Sequence, residues 1–111
     1  MTKAFYQFVL HEPYKKSCKR LGCDDDRSQQ AIESEILRGP ELGSPLAGGI
    51  RKLRVGLPHK SKGKSGSYRV IYYFFSEDEE VHLLHLLDKS DVESLTSTEM
   101  LALQKALTKR P

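Results

Sequence analysis

Seven cationic side chains and no carboxylate occupy the middle of this chain. Between Leu42 and Ser76 stand Arg51, Lys52, Arg54, Lys60, Lys62, Lys64 and Arg69, without one Asp or Glu. The acids gather outside that window, in Asp24-Asp25-Asp26 and in Glu77-Asp78-Glu79-Glu80. The net charge of +3 says little by itself. A basic middle between acidic flanks says more, because it concentrates positive potential where a polyanion would sit. The residue types suit a phosphate: a guanidinium stays charged, and its planar fork matches two phosphate oxygens. A run of solvated loop lysines would have the same composition, so the elements that carry these residues decide between the two.

Ser67 to Phe75 is the strongest strand signal in the chain, dense in β-branched and aromatic residues. Ile50 to Gly56 and Glu80 to Leu87 read as its neighbours, joined by a polar loop over Leu57–Gly66 and a turn over Ser76–Glu79. Side chains alternate faces along a strand. Lys52 and Arg54 therefore share one face, and Leu53 and Val55 take the other. In the next strand Arg69 lies with Ile71 and Tyr73, whereas Tyr68, Val70, Tyr72 and Phe74 form a core face. In the third strand Val81, Leu83, His85 and Leu87 share a face, with Lys89 continuing it, and His82, Leu84 and Leu86 oppose them. One face would gather Lys52, Arg54, Arg69, Tyr73, His85 and Lys89. Like charges so arranged repel unless a partner neutralises them, which favours an anion site. A bulge would flip any of these assignments.

The rest of the chain positions that sheet. Phe5 to Leu10 is a short strand, and Pro13 opens a helix over Tyr14–Leu21 that Gly22 ends. Asp24 or Asp25 caps a second helix with Ala31, Ile32, Ile36 and Leu37 as its apolar stripe, stopped by Gly39-Pro40. Thr96 and Glu99 form a capping box for a last helix that runs to about Lys109, with Met100, Leu103 and Leu107 along one side. The order β-α-α-β-β-β-α with hairpin-linked strands predicts an α+β fold, an antiparallel sheet with its helices packed on one face.

A length of 111 residues suits a single domain over the whole chain. With 38% hydrophobic and 30% charged residues it reads as globular. No apolar run approaches the roughly 20 residues of a membrane span, and Met1 to Phe5 lacks the features of a secretory signal, so the cytoplasm is the expected compartment. Cys18 and Cys23, five apart, would point in different directions on a helix and are expected as free thiols. No metal is implied: His82 and His85, three apart on a strand, would face opposite ways.

Two stretches have a wider likeness. Gly49-Ile50-Arg51-Lys52-Leu53-Arg54-Val55, followed by Lys62-Gly63-Lys64-Ser65-Gly66-Ser67-Tyr68-Arg69-Val70-Ile71-Tyr72-Tyr73, resembles the RelE/HigB family of type II toxins. The HigB-like branch is nearest, typically reading GLRKLR and then GKSGGYRVIYY. Gly39-Pro40-Glu41-Leu42-Gly43 is similar to the family's NPE-x-G, and Leu95-Thr96-Ser97-Thr98-Glu99 to its LS-x-x-E at the start of the last helix. The resemblance implies a microbial-ribonuclease-like fold, cleavage of mRNA in the ribosomal A site, and neutralisation by a cognate antitoxin, often a helix-turn-helix protein. The family's basic catalytic residues match at Lys52, Arg54 and Arg69, and its basic loop at Lys62 and Lys64. After the third strand the match breaks: where the family has a Tyr two residues before the lysine, this chain has Leu87 before Lys89, and His85 replaces a Thr.

Cleavage of RNA through its 2′-hydroxyl needs a base for the 2′-proton, cations on the crowded phosphorane and an acid for the leaving oxygen. Under the resemblance Arg69 stabilises the transition state and Lys52 and Arg54 hold the phosphate. An ammonium among other cations gives up its proton more readily, so Lys52 or Lys89 could act as base or acid. His85 is either the proton carrier or a packed strand histidine. Tyr73 is either a base-stacking residue or a core-edge one, and Arg51, Lys60, Lys62 and Lys64 would add phosphate contacts. Two rival functions stay open: a ParE-like gyrase poison on the same fold, and a degenerate toxin retained as a binding or regulatory module. No cofactor is expected.

Overall fold

The computed structural model describes residues 6–57, 66–88 and 97–108. Their elements run β1 (Gln7–Leu10), α1 (Glu12–Leu21), α2 (Asp26–Leu37), β2 (Ser44–Pro45), β3 (Arg51–Leu57), β4 (Gly66–Phe75), β5 (Glu80–Asp88) and α3 (Ser97–Thr108), with a 3-10 turn at Ala47–Gly49. The strands form one sheet in the order β1-β5-β4-β3-β2. The expected α+β class and element order hold, with β2 as an addition hidden in the Gly/Pro-rich connection. Among the described residues no helix is long and apolar enough to cross a membrane.

The termini of the helices follow from local chemistry. Pro13 stands in the first turn of α1, where its missing N–H costs nothing. Gly22 ends α1 in the left-handed region at φ 74°, and the Cys23 N–H then bonds the Cys18 carbonyl at 2.8 Å. That turn brings both thiols into one core instead of pointing them apart, and both are free and buried. Asp25 caps α2, its carboxylate accepting the Ser28 N–H at 3.2 Å and the Ser28 hydroxyl at 2.8 Å. Leu37 departs from the expected stripe and is 45% exposed.

Two details of the expected sheet differ. β1 joins β5 in parallel, so the sheet is mixed; the crossover through α1 and α2 is long enough to bring the chain back in that sense. The helices cover both faces. Tyr14 and Cys18 of α1 and Ile32 and Ile36 of α2 pack with Val55, Val70, Tyr72, Leu83 and Leu86. Leu103 and Leu107 of α3 pack with Ile50, Ile71, Leu84 and Leu87, the alternate residues of the same strands. A sheet buried on both sides has no wholly polar face, which is why β5 reads as a nearly continuous apolar run.

A bulge in β5 changes the expected alternation. Ile71 pairs with His85 but Tyr72 pairs with Leu83, leaving Leu84 as the extra residue. Val81 and Leu83 therefore lie with Leu86 toward α1 and α2, whereas Leu84 and Leu87 face α3. His82, paired with Tyr73, and His85, paired with Ile71, come to the same face instead of opposite ones. The Leu86 N–H lies beyond the end of β1, and the buried Ser17 hydroxyl of α1 accepts it at 2.9 Å.

The segment after α2 is stapled to the sheet. The Tyr72 hydroxyl donates to the Pro40 carbonyl at 2.7 Å and accepts the Gly43 N–H at 3.3 Å. Arg51 Nη1 donates to the carbonyls of Glu41 and Gly43 at 3.0 and 2.8 Å. Gly43 is needed there: a Cβ would stand 2.7 Å from the Tyr72 hydroxyl and 3.0 Å from the Lys52 carbonyl. The staple sets β2 on β3, with Ser44 opposite Lys52. At the other sheet edge His82 Nε2 meets Glu80 Oε1 at 3.0 Å, and His82 Nδ1 meets His11 Nε2 at 2.8 Å. One shared proton makes that second contact, so two doubly protonated rings cannot keep it.

Two outcomes follow from these contacts. Gly43→Ala is expected to cost about 1–3 kcal/mol through overpacking, and Arg51→Ala about 1–2 kcal/mol through lost hydrogen bonds, both measured by urea unfolding; an unchanged midpoint in both would refute the staple. Burial, and then the neighbouring His82, lowers the His11 pKa from its ordinary 6.5. The unfolded chain therefore binds that proton more readily, and the stability carried by neutral His11 is complete above pH 6.5 and lost as pH falls through the lower folded-state value. The urea midpoint should drop between pH 7 and pH 5 less steeply in His11→Gln than in the parent chain, and an equal slope would exclude His11 as a source.

Candidate active site

Strand register decides which cations meet. Arg54 pairs with Arg69, and Arg69 in turn with Leu87; Lys52 pairs with Ile71, and Ile71 with His85. Directly opposite side chains on one face start about 5 Å apart and diagonal ones about 7–8 Å. Arg54 and Arg69 are thus nearest neighbours, with Lys52 and His85 each on a diagonal from Arg69. Arg54 is exposed, and Lys52, Arg69 and His85 are half-buried. Two unit charges 5 Å apart repel by roughly 1 kcal/mol even in bulk water. Among the described residues no carboxylate pairs with Lys52, Arg54 or Arg69 to offset that repulsion. The arrangement suits an anion held between β3 and β4, with a titratable imidazole at its β5 side.

Not every expected residue joins this group. Arg51 lies on the opposite face, where its guanidinium serves the α2–β3 connection. Tyr73 is on the right face but packs with Phe75, ring centroids 4.5 Å apart, at the margin of the α3 core. Lys60, Lys62, Lys64 and Lys89 fall outside the described residues. Leu87, at the position of the family's tyrosine, is only 4% exposed and packs in the core with Leu103 and Leu107. The residue directly across from Arg69 is thus spent on seating α3 and has no proton to give.

The two thiols and the hydroxyls of Tyr14, Tyr68 and Tyr72 lie on the far face and hold their protons. Burial pushes the Cys18 thiol up to about 11 and the Tyr68 hydroxyl up to about 12, and it also raises Cys23, Tyr14 and Tyr72. Among the described residues no group of three or more His, Cys, Asp or Glu offers a ligand set for a metal. One polar partner escaped the sequence reading: Arg54 Nε donates to Ser67 Oγ at 3.2 Å. Its only signal in the sequence is a hydroxyl two residues before Arg69, hence on the same face.

No protein-family model matches the sequence. Solved structures do match the fold. A double arginine-to-alanine variant of the E. coli toxin RelE in its free state superimposes with a TM-score of 0.56 at 20% identity, covering 87% of this chain and 95% of that one. The isolated E. coli RelE toxin in its P21 form gives 0.52 at 16% identity, with 92% and 99% covered. Both likenesses span nearly the full length of each partner, so element order and sheet topology are shared while most side chains are not. The chain has the fold of the RelE toxin.

Proposed function

We propose that the chain, acting as a single domain, is the toxin of a type II toxin–antitoxin system and a ribosome-dependent endoribonuclease that cuts mRNA in the A site and stops translation. The observation that carries this reading is the Arg54–Arg69 pair with Lys52 on its diagonal, unpartnered by any carboxylate among the described residues, on the RelE fold. In the reaction the 2′-oxygen attacks phosphorus, the 5′-oxygen leaves, and a 2′,3′-cyclic phosphate remains. Arg69 spreads its fork over the phosphorane oxygens, and Arg54 and Lys52 hold the same group. Lys52 and His85 flank Ile71 two strand spacings apart, about 10 Å, and side chains leaning inward from both would bracket a phosphate over Arg69. One takes the 2′-proton and the other serves the leaving oxygen, with Lys89 as the further candidate. Lys60, Lys62 and Lys64 would add salt-dependent contacts to mRNA or ribosomal phosphates, and Tyr73 would offer an edge to a base. The protein would work in the cytoplasm without a cofactor, held in check by a cognate antitoxin of helix-turn-helix type.

A second reading is favoured by one observation. Leu87, buried opposite Arg69, removes the residue that would most directly pass a proton, and this suits a non-catalytic toxin kept as a binding module.

Induction without antitoxin, followed by primer extension on ribosome-bound mRNA, separates these readings. The expected result is growth arrest with new mRNA ends within codons. Arg69→Ala and Lys52→Ala should each lower cleavage by about a hundredfold or more without moving the thermal midpoint downward. Normal growth with soluble, folded protein would establish the binding module, and intact mRNA with double-strand DNA breaks would establish a gyrase poison.

A further inference from the structure

Arg54 differs from the other two cations of the cluster in being held. Its Nε donates to Ser67 Oγ at 3.2 Å. Ser67 is not the residue opposite Arg54; the register pairs it with Gly56, and Arg54 with Arg69. The bond therefore runs along a diagonal of the sheet face, a span of about 7–8 Å that a long side chain covers. Gly56 puts no side chain beside Ser67, so the guanidinium has room to lie over that corner. A hydrogen bond through Nε fixes the plane of a guanidinium and leaves Nη1 and Nη2, the two arms of its fork, for another partner. Among the described residues neither arm has a carboxylate partner. The serine hydroxyl has accepted one hydrogen bond and keeps its own proton to donate.

We propose that Ser67 is a positioning residue: it orients the Arg54 fork so that both arms address the two non-bridging oxygens of the RNA phosphodiester that Arg69 also contacts. The proposal rests on the ribonuclease reading above. Without Ser67, Arg54 is a loose surface cation that still attracts RNA. With it, Arg54 is an aligned fork whose contact strengthens as charge builds on the phosphorane oxygens. Removing the hydroxyl should therefore lower kcat more than it raises KM.

The test is cleavage of ribosome-bound mRNA under multiple-turnover conditions by the parent chain, Ser67→Ala, Ser67→Thr, Arg54→Lys and the double variant Arg54→Lys/Ser67→Ala. Ser67→Ala should lose about three- to tenfold in kcat, the span of one net hydrogen bond, with KM within twofold and an unchanged thermal midpoint. Ser67→Thr restores the hydroxyl on a strand-compatible residue and should recover the rate. Lysine has no Nε–H fork to orient, so Ser67→Ala should cost nothing further in the Arg54→Lys background. A Ser67→Ala variant as fast as its parent, or one that loses as much when Arg54 is Lys, would overturn the positioning role while leaving the ribonuclease reading intact. A parent chain that cuts no mRNA would overturn both, and that result is read in the parent lane alone.

Discussion

The pairing of Arg54 with Arg69 across β3 and β4 is the constraint on which the rest of the structure turns. It sets two permanent cations side by side, with Lys52 on the diagonal, at a standing electrostatic cost. Such a pairing needs a register that cannot slip, because a shift of one residue would exchange the charged face for the core face. The fold supplies that rigidity from both sides. Leu53 and Val55 alternate with the cations and lie against Tyr68, Val70 and the helices α1 and α2. Ile71 and Leu87, immediate neighbours of Arg69 on its own face, are pinned by α3. The staple from Arg51 and Tyr72 to the segment 40–43 then seats β2 against Lys52.

The two arginines at the start of β3's charged run illustrate how alternation divides labour. Arg51 and Arg54 are three apart and of the same residue type, yet they end on opposite faces. Arg54 meets solvent and a serine; Arg51 meets backbone carbonyls. Composition counts them equally as parts of a basic patch, and only the pleat separates the one that can reach a phosphate from the one that holds a loop.

Much of this was legible in the sequence, because period-2 alternation in β3 and β4 is unbroken. The common face of Lys52, Arg54, Arg69 and Tyr73, and the core face of Val70 and Tyr72, follow directly from it. β5 was not legible in the same way. Its leucines and valine face both sides of the sheet, so nothing in the pattern marks where Leu84 bulges out, and His82, beyond the bulge, could not be placed by counting. His85, two residues before Leu87 and in unbroken register with it, keeps the charged face that alternation expects, while the bulge brings His82 to that face and sends Val81 and Leu83, expected beside His85, to the other side. The parallel β1 and the placement of α3 were hidden for a related reason: Leu103 and Leu107 give a helix an apolar side but not the identity of the face it meets. Lys89 and the lysines at 60, 62 and 64 lie outside the described residues, so their part in the site rests on sequence alone.

The central claim is that this cationic face cleaves RNA through the substrate's own 2′-hydroxyl. The most direct measurement uses purified protein and ribosomes programmed with an mRNA whose A-site codon carries a single 2′-deoxy nucleotide at the mapped cut. The account predicts cleavage of the all-ribose message to a 2′,3′-cyclic phosphate end and no cleavage at the deoxy position. Cutting of the deoxy message at the same place and rate, or ends bearing a free 3′-hydroxyl, would contradict it.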